Sequence, residues 1–160
     1  MHIGVDRSGQ IHAHVLSDSS VDDASTGIGI IKATLGRVPS MSGDTAYGTV
    51  AIYDAANVRG ARVVVPPSRS AAVSRRRPGS AARDETIKRA NRIGRRQWKK
   101  ESGYQRQGTV ENTLFRHKSM RGDRPHARIR AAQDVEVGFR REVLNRMLAF
   151  GRRKSMAIAR

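Results

Sequence analysis

Cysteine is absent from the 160 residues, which removes disulfide scaffolds, thiolate zinc sites and cysteine nucleophiles from consideration. Aromatic residues are scarce at 4%, so any core the chain builds is a thin one. No apolar run approaches the ~18 residues of a membrane span, and the N-terminus lacks the charged-then-apolar pattern of an export signal. Acidic residues are few, 14 against 31 Lys and Arg, for a formal net charge of +17. The length suits one domain. Together these features predict a soluble, intracellular protein that binds a polyanion.

The charge is unevenly placed. Met1–Pro66 carries five basic and six acidic residues, whereas Pro67–Arg160 carries 26 basic and eight acidic. A near-neutral folded half therefore adjoins a half suited to facing phosphates. A basic protein of another kind, such as a ribosomal protein, has the same signature, and charge alone does not separate them.

The first 67 residues alternate between strand and helix patterns. His2–Val5 and Ile11–Leu16 are β-compatible, with Asp6-Arg-Ser-Gly9 turn chemistry between them, predicting an antiparallel hairpin. Ser20–Asp23 offers N-cap residues, and Ala24, Ile28, Ile31 and Leu35 recur on one helical face up to Gly36. Gly27 and Gly29 each weaken that helix by about 1 kcal/mol relative to Ala. Val38–Ser42 reads as a poor strand, Thr49–Asn57 as a short helix, and Ala61–Val65 as the clearest strand, closed by Pro66-Pro67. This order predicts an α/β fold with a mixed sheet. Residues 68–82 read as a flexible basic linker, and 83–160 as a basic helical region. Helices are expected over Asp84–Lys100, Gly108–Met120 and Arg130–Phe150, the last with Val135, Phe139, Val143 and Met147 as its buried row.

Tyr104, Gln107, Glu111 and Lys118 would share one stripe if a continuous helix carried them, with Phe115 on it and Val110 and Leu114 alongside as anchors. A carboxylate two turns from a Lys can hold a metal while the ammonium meets a phosphate; an ordinary solvated helix face has the same spacing. Asp44 follows a strand in a Gly-containing turn, where α/β sheets collect ligands, although turn Asp residues more often bond their own backbone. His12 and His14 on one strand face lack a clear third ligand and read as surface histidines. Trp98, amid Arg95, Arg96, Lys99 and Lys100, suits either base stacking or a core anchor.

Ser42-Gly-Asp44-Thr-Ala-Tyr47 resembles the Ala-Asp-Gly-Ala-Tyr-Asp segment of bacterial DDE-type insertion-sequence transposases. Gly103-Tyr104-Gln-Arg-Gln-Gly-Thr-Val-Glu111, with Lys118 seven residues on, is similar to that family's Tyr-x2-Arg-x3-Glu-x6-Lys signature. His2–Asp6, Val21–Ser25, Val64–Pro67 and Val143–Met147 match in the same order. The resemblance implies a ribonuclease H-like catalytic domain performing metal-dependent phosphodiester hydrolysis and strand transfer at transposon ends. Asp44 and Glu111 would be two of its three carboxylate ligands for Mg²⁺ or Mn²⁺. Tyr104, Arg106 and Lys118 would be the DNA-binding residues. DNA is the implied partner, self-association would hold two ends together, and the location would be the bacterial cytoplasm, at the nucleoid.

Three departures qualify the match. The signature Arg falls at Gln107, with Arg106 beside it, and the Asp ending the Asp44 segment is replaced by Gly48. The family's first catalytic Asp lies on a strand upstream of the His2 segment, leaving Asp6 as the one substitute in reach. That strand would be the centre of the sheet, between the strands at His2 and before Asp44, so its lack would leave two unpaired edges. The expectation is therefore an incomplete ribonuclease H-like sheet followed by a basic helical half. It describes a truncated, inactive transposase fragment, either a remnant or a second reading frame normally joined by frameshifting to an upstream-encoded N-terminal segment. The alternative is a non-enzymatic basic nucleic-acid-binding protein.

Overall fold

The computed structural model describes residues 1–17, 21–74, 78–104, 108–122 and 125–151. Strands β1 (His2–Val5) and β2 (Ile11–Val15) form the expected antiparallel hairpin, pairing Ile3 with His14 and Gly4 with Ala13. Ile11 and Ala13 are buried, while all four residues of β1 are only half-buried. Helix α1 (Asp23–Ala33) starts at Asp22, whose carboxylate accepts the Ser25 N–H. Its buried positions are Thr26, Gly27 and Ile31. Leu35, expected on that face, lies past the Thr34 cap and is 87% exposed. Gly27 weakens the isolated helix, but here it makes room: a Cβ at this position would stand 2.7 Å from the Tyr47 ring.

Strand β3 (Ser40–Ser42) runs parallel to β4 (Arg62–Val64), connected through α2 (Val50–Val58). Thr49 Oγ1 caps α2 at the Ile52 N–H, and Ile52, Tyr53 and Ala56 form its buried face toward α1 and the next helix. Arg59 locks α1 to α2 by donating to the carbonyls of Thr34 and Gly36 at 2.8 and 2.6 Å.

The fold is mixed α/β, but the expected mixed sheet is not formed. The described strands make two separate two-stranded sheets, β1–β2 and β3–β4. No described strand hydrogen-bonds to both pairs, so β1 and β3 each keep one edge outside a ladder. An isolated two-stranded sheet is marginal in water; these two are held by helices. Helix α1 packs on β1, β2 and α2, and His2 Nδ1 meets the Tyr47 hydroxyl at 3.1 Å across the two pairs.

Among the described residues the C-terminal half contains four helices. Helix α3 (Pro78–Ile93) already begins inside the stretch expected as linker, and the segment before it is tied down, with the Ser74 N–H donating to the Asp84 carboxylate at 3.0 Å. The single helix expected over Asp84–Lys100 is two helices, because Gly94 takes φ +82° and ends α3. Helix α4 (Arg95–Ser102) folds back so that Arg89 bonds Glu101 at 2.7 Å. Trp98 is thereby buried with Val64 and Ala90, beside Ile93 and Tyr104, which makes it a core anchor and not an exposed stacking platform.

Helices α5 (Gly108–Arg121) and α6 (Arg130–Ala149) follow. The buried residues of α6 are Val137, Arg140 and Leu144, not the predicted row. Val135, Phe139 and Met147 of that row are 72%, 70% and 52% exposed. The inward face is chosen by polar contacts with the hairpin: Asn145 Oδ1 accepts the Ile11 N–H at 2.8 Å and its Nδ2 donates to the Ile11 carbonyl at 2.9 Å. No helix among the described residues is long and apolar enough to cross a membrane.

Candidate functional site

Asp44 stands just beyond β3, at the N-cap of a 3-10 turn over Thr45–Tyr47, and its Oδ1 accepts the Ala46 N–H at 2.9 Å. The turn is tight because Gly43 is buried against Tyr47, where a Cβ would come within 2.8 Å of the ring. Two cations from the basic half hold the segment after Asp44. Arg83 Nε donates to the Gly48 carbonyl at 2.8 Å, and Arg95 donates to Thr45 Oγ1 at 2.9 Å. Nothing in the sequence distinguishes these two arginines from the other basic residues.

Tyr47 and His2 link this turn to β1. Burial first, and then the charges of Asp23 and Asp44, push the Tyr47 phenol up to about 12, so it is a permanent hydrogen-bonding group and not an acid. Burial, followed by the N-terminal ammonium, lowers the His2 imidazole, against the opposing pull of Asp23 and Asp44. His2 thus bridges two groups, with Nδ1 on the Tyr47 hydroxyl and Nε2 3.8 Å from Asp23 Oδ1. Asp23 as a neighbour of this group is legible only from the tertiary structure.

Glu111 occupies the first turn of α5 and is exposed. The stripe expected to join it to Tyr104 is interrupted: Gly103, at φ +78°, ends α4, and Tyr104 precedes α5. Tyr104 packs instead beside the Trp98 cluster, with Lys99 Nζ 4.9 Å from its ring centroid. Arg106 and Gln107 lie outside the described residues. Within α5, Thr109, Thr113 and His117 follow at four-residue spacing; Thr113 Oγ1 donates to the Gly9 carbonyl at 3.5 Å, and a Cβ at Gly9 would stand 3.3 Å from Thr113 and 3.8 Å from Thr109. Glu111, Phe115 and Lys118 are exposed on the far side, and Val110 and Leu114 are the half-buried anchors between.

Asp6 is committed elsewhere. Its Oδ1 accepts the Ser8 N–H at 2.8 Å, the Ser8 hydroxyl at 2.6 Å and the Gln10 N–H at 3.0 Å, and its Oδ2 meets His12 Nε2 at 3.0 Å. Burial would raise this carboxyl, but the bonds from Ser8, His12 and the two backbone N–H groups outweigh it and hold it at about 2. The hairpin turn uses those oxygens. His12 and His14 do not act together either: His12 pairs with Asp6, and His14 with Asp134 at 3.2 Å. The His14 side chain is 10% exposed, so it is not the surface residue its alternation suggests.

Among the described residues no group of three or more His, Asp or Glu side chains is placed to hold a metal ion. Asp44 and Glu111 as they stand do not make a complete cation site, and no catalytic step through a metal follows from this arrangement. What the arrangement does offer is an exposed carboxylate on a clamped turn, a second on an outward helix face, and basic helices supporting the first.

A family model described as "Transposase DDE domain" matches residues 1–145. No curated protein matches the chain, and no solved structure does.

Proposed function

The chain belongs to the family of transposase DDE domains, and on that premise we propose that it is a DNA-engaging portion of an insertion-sequence transposase that does not cut DNA by itself. The observation that carries the reading is the extent of the family match, which runs from Met1 to Asn145 and takes in both Asp44 and Glu111. In this reading the two carboxylates are contributions to a divalent-cation site whose remaining ligand comes from a strand upstream of β1. Tyr104, Arg106 and Lys118 are the proposed contacts to the transposon end. The ion in the completed site would be Mg²⁺ or Mn²⁺.

Two features support the incompleteness. Asp6, the substitute within reach, has both carboxylate oxygens engaged by the hairpin turn. The described strands form two pairs instead of one sheet. The net charge of +17 sustains DNA binding irrespective of chemistry, and binding carried by phosphate contacts weakens steeply with salt.

That charge also fits a non-enzymatic nucleic-acid binder, and carboxylate substitutions separate the two. If DNA passes the Asp44–Glu111 region, Asp44→Ala and Glu111→Ala each remove a negative charge facing phosphates. Without metal, each should raise duplex affinity by about two- to fivefold, the worth of one exposed charge contact. Glu85→Ala, an exposed carboxylate on α3, should change affinity by less. Equal changes in all three variants would favour the general binder.

A further inference from the structure

Among the described residues of α5, no apolar side chain is fully buried. The two that are buried, Thr113 and His117, are both polar, while Val110 and Leu114 are half-buried. Glycines bound the helix: Gly108 opens it, and Gly122, at φ +83°, follows its end. It rests on β1, the Gly9 turn and α6. A segment with few buried apolar contacts is among the first to open.

His117 is 2% exposed, and its Nε2 is buried with no hydrogen-bond partner among the described residues. Its bond to the Val137 backbone therefore falls to Nδ1. A ring that donates through Nδ1 and keeps a bare lone pair at Nε2 is neutral. His14 of β2 repeats the pattern, with Nε2 on Asp134 Oδ1 at 3.2 Å and Nδ1 buried without a partner among the described residues. Both rings lie against one stretch of α6, His117 at Val137 and His14 at Gly138, where a Cβ would stand 3.6 Å from His14 Cε1.

The groups facing His117 oppose a positive charge on it. After burial itself, the opposing influences are Arg140 from α6 and His14 from β2. Arg140 is buried, paired with Glu136 and donating to the Gly122 carbonyl at 3.3 Å. The nearby carboxylates are engaged elsewhere: Glu136 by Arg140 and the His126 and Ala127 N–H groups, Asp134 by His14, and Asp6 by the hairpin turn. On β1, His2 faces Tyr47 and Asp23. On α5 itself, Glu111 and Lys118 are exposed on the far side. A proton on Nε2 would thus set a second buried cation near Arg140, with no acceptor for its N–H. Moving the ring into water relieves both costs at once.

We propose that His117 is a proton-operated latch: neutral, it seats α5 against the hairpin and α6, and protonated, it releases α5 while the rest of the fold stays in place. Glu111 leaves with the helix. What that does to a cation site shared with Asp44 rests on the transposase reading; the latch itself does not.

Hydrogen exchange of the full chain, read by mass spectrometry at pH 7.5 and 5.5 and corrected for the intrinsic pH dependence of exchange, tests the latch. Protection over residues 109–119 should fall about tenfold, the ratio of imidazolium to imidazole one pH unit below the ordinary value of 6.5. Protection over residues 80–93 of α3 should stay within about twofold. In His117→Phe, and in His117→Gln as a second neutral replacement, the loss over α5 should disappear, with circular dichroism showing that each variant is folded. Unchanged protection of α5 in the unmodified chain, an equal fall in α3 and α5, or a fall that persists in a folded variant overturns the proposal. The first two outcomes need no variant. Neither DNA nor metal enters the test, so its failure is separate from any failure of the transposase reading.

Discussion

Asn145 is the most consequential tie between the two ends of the chain. Its amide accepts from the N–H of Ile11 and donates to the carbonyl of the same residue, 134 positions away, as a neighbouring strand would. Ile11 is 2% exposed, so water does not replace that amide easily. In Asn145→Ala both backbone groups lose their partner, and a buried unsatisfied group costs about 1–3 kcal/mol. Allowing for partial relaxation, the two sum to about 2–4 kcal/mol, several times the cost of an ordinary surface change. For a chain of this size each kcal/mol moves the midpoint about 2–4 °C, so the melting temperature should fall by about 4–16 °C. Asn145→Asp sharpens the test. At neutral pH its carboxylate still accepts from the N–H but sets a second oxygen against the Ile11 carbonyl, so it should cost at least as much as alanine. When protonated, the acid donates again, and its deficit relative to wild type at the same pH should shrink as pH falls toward 4. Thermal and urea denaturation followed by circular dichroism measure both effects. A loss under about 0.5 kcal/mol for Asn145→Ala, the range of neutral surface changes, would refute the idea that this side chain joins α6 to β2.

Two further perturbations probe the packing around the site. Gly27→Ala adds helix propensity of about 1 kcal/mol, but its Cβ would lie 2.7 Å from two Tyr47 ring carbons, and overpacking costs about 1–3 kcal/mol. A net loss of stability is expected in urea titrations, and a gain would contradict the placement of Tyr47. His117 is 2% exposed, and burial, then Arg140, then His14 lower its pKa from 6.5. Its neutral form is therefore the folded one. The stability it contributes is complete above pH 6.5 and is lost as pH falls below that value. His117→Phe should flatten the urea midpoint between pH 7.5 and 5.5, leaving a smaller slope of the same sign from His2; an unchanged profile would count against a neutral buried His117.

The parts of the fold that local chemistry decides were legible. The Asp6–Gly9 turn with flanking alternation marks the hairpin, and Thr49 and Gly60 bracket α2 closely. The Asp44 turn was legible from the glycine after a strand pattern, and the helix bearing Glu111 from the helical pattern over Gly108–Met120. What the sequence concealed depends on tertiary competition. The row Val135–Phe139–Val143–Met147 and the set Val137–Arg140–Leu144 both suit a helix face, and hydrophobicity favours the first. The second faces inward because Asn145 and Gly138 meet the hairpin there. Gly94 inside an otherwise helical run carries a local cost of only about 1 kcal/mol relative to Ala, too little to mark a break, yet its positive φ lets α4 fold back and bury Trp98. Arg83 and Arg95, which clamp the turn after Asp44, carry no local signal because basic residues are abundant throughout that half. The separation of the strands into two pairs likewise has no local marker: each strand reads the same with or without a neighbour on its open edge.

The central claim is that this chain grips DNA and carries two of the family's carboxylates without forming a cutting site alone. Supercoiled plasmid incubated with the chain and Mn²⁺ tests it most directly. The account predicts retarded but unbroken plasmid, with retardation lost as salt is raised. Nicked circles produced by this chain, and eliminated by Asp44→Ala or Glu111→Ala, would contradict it.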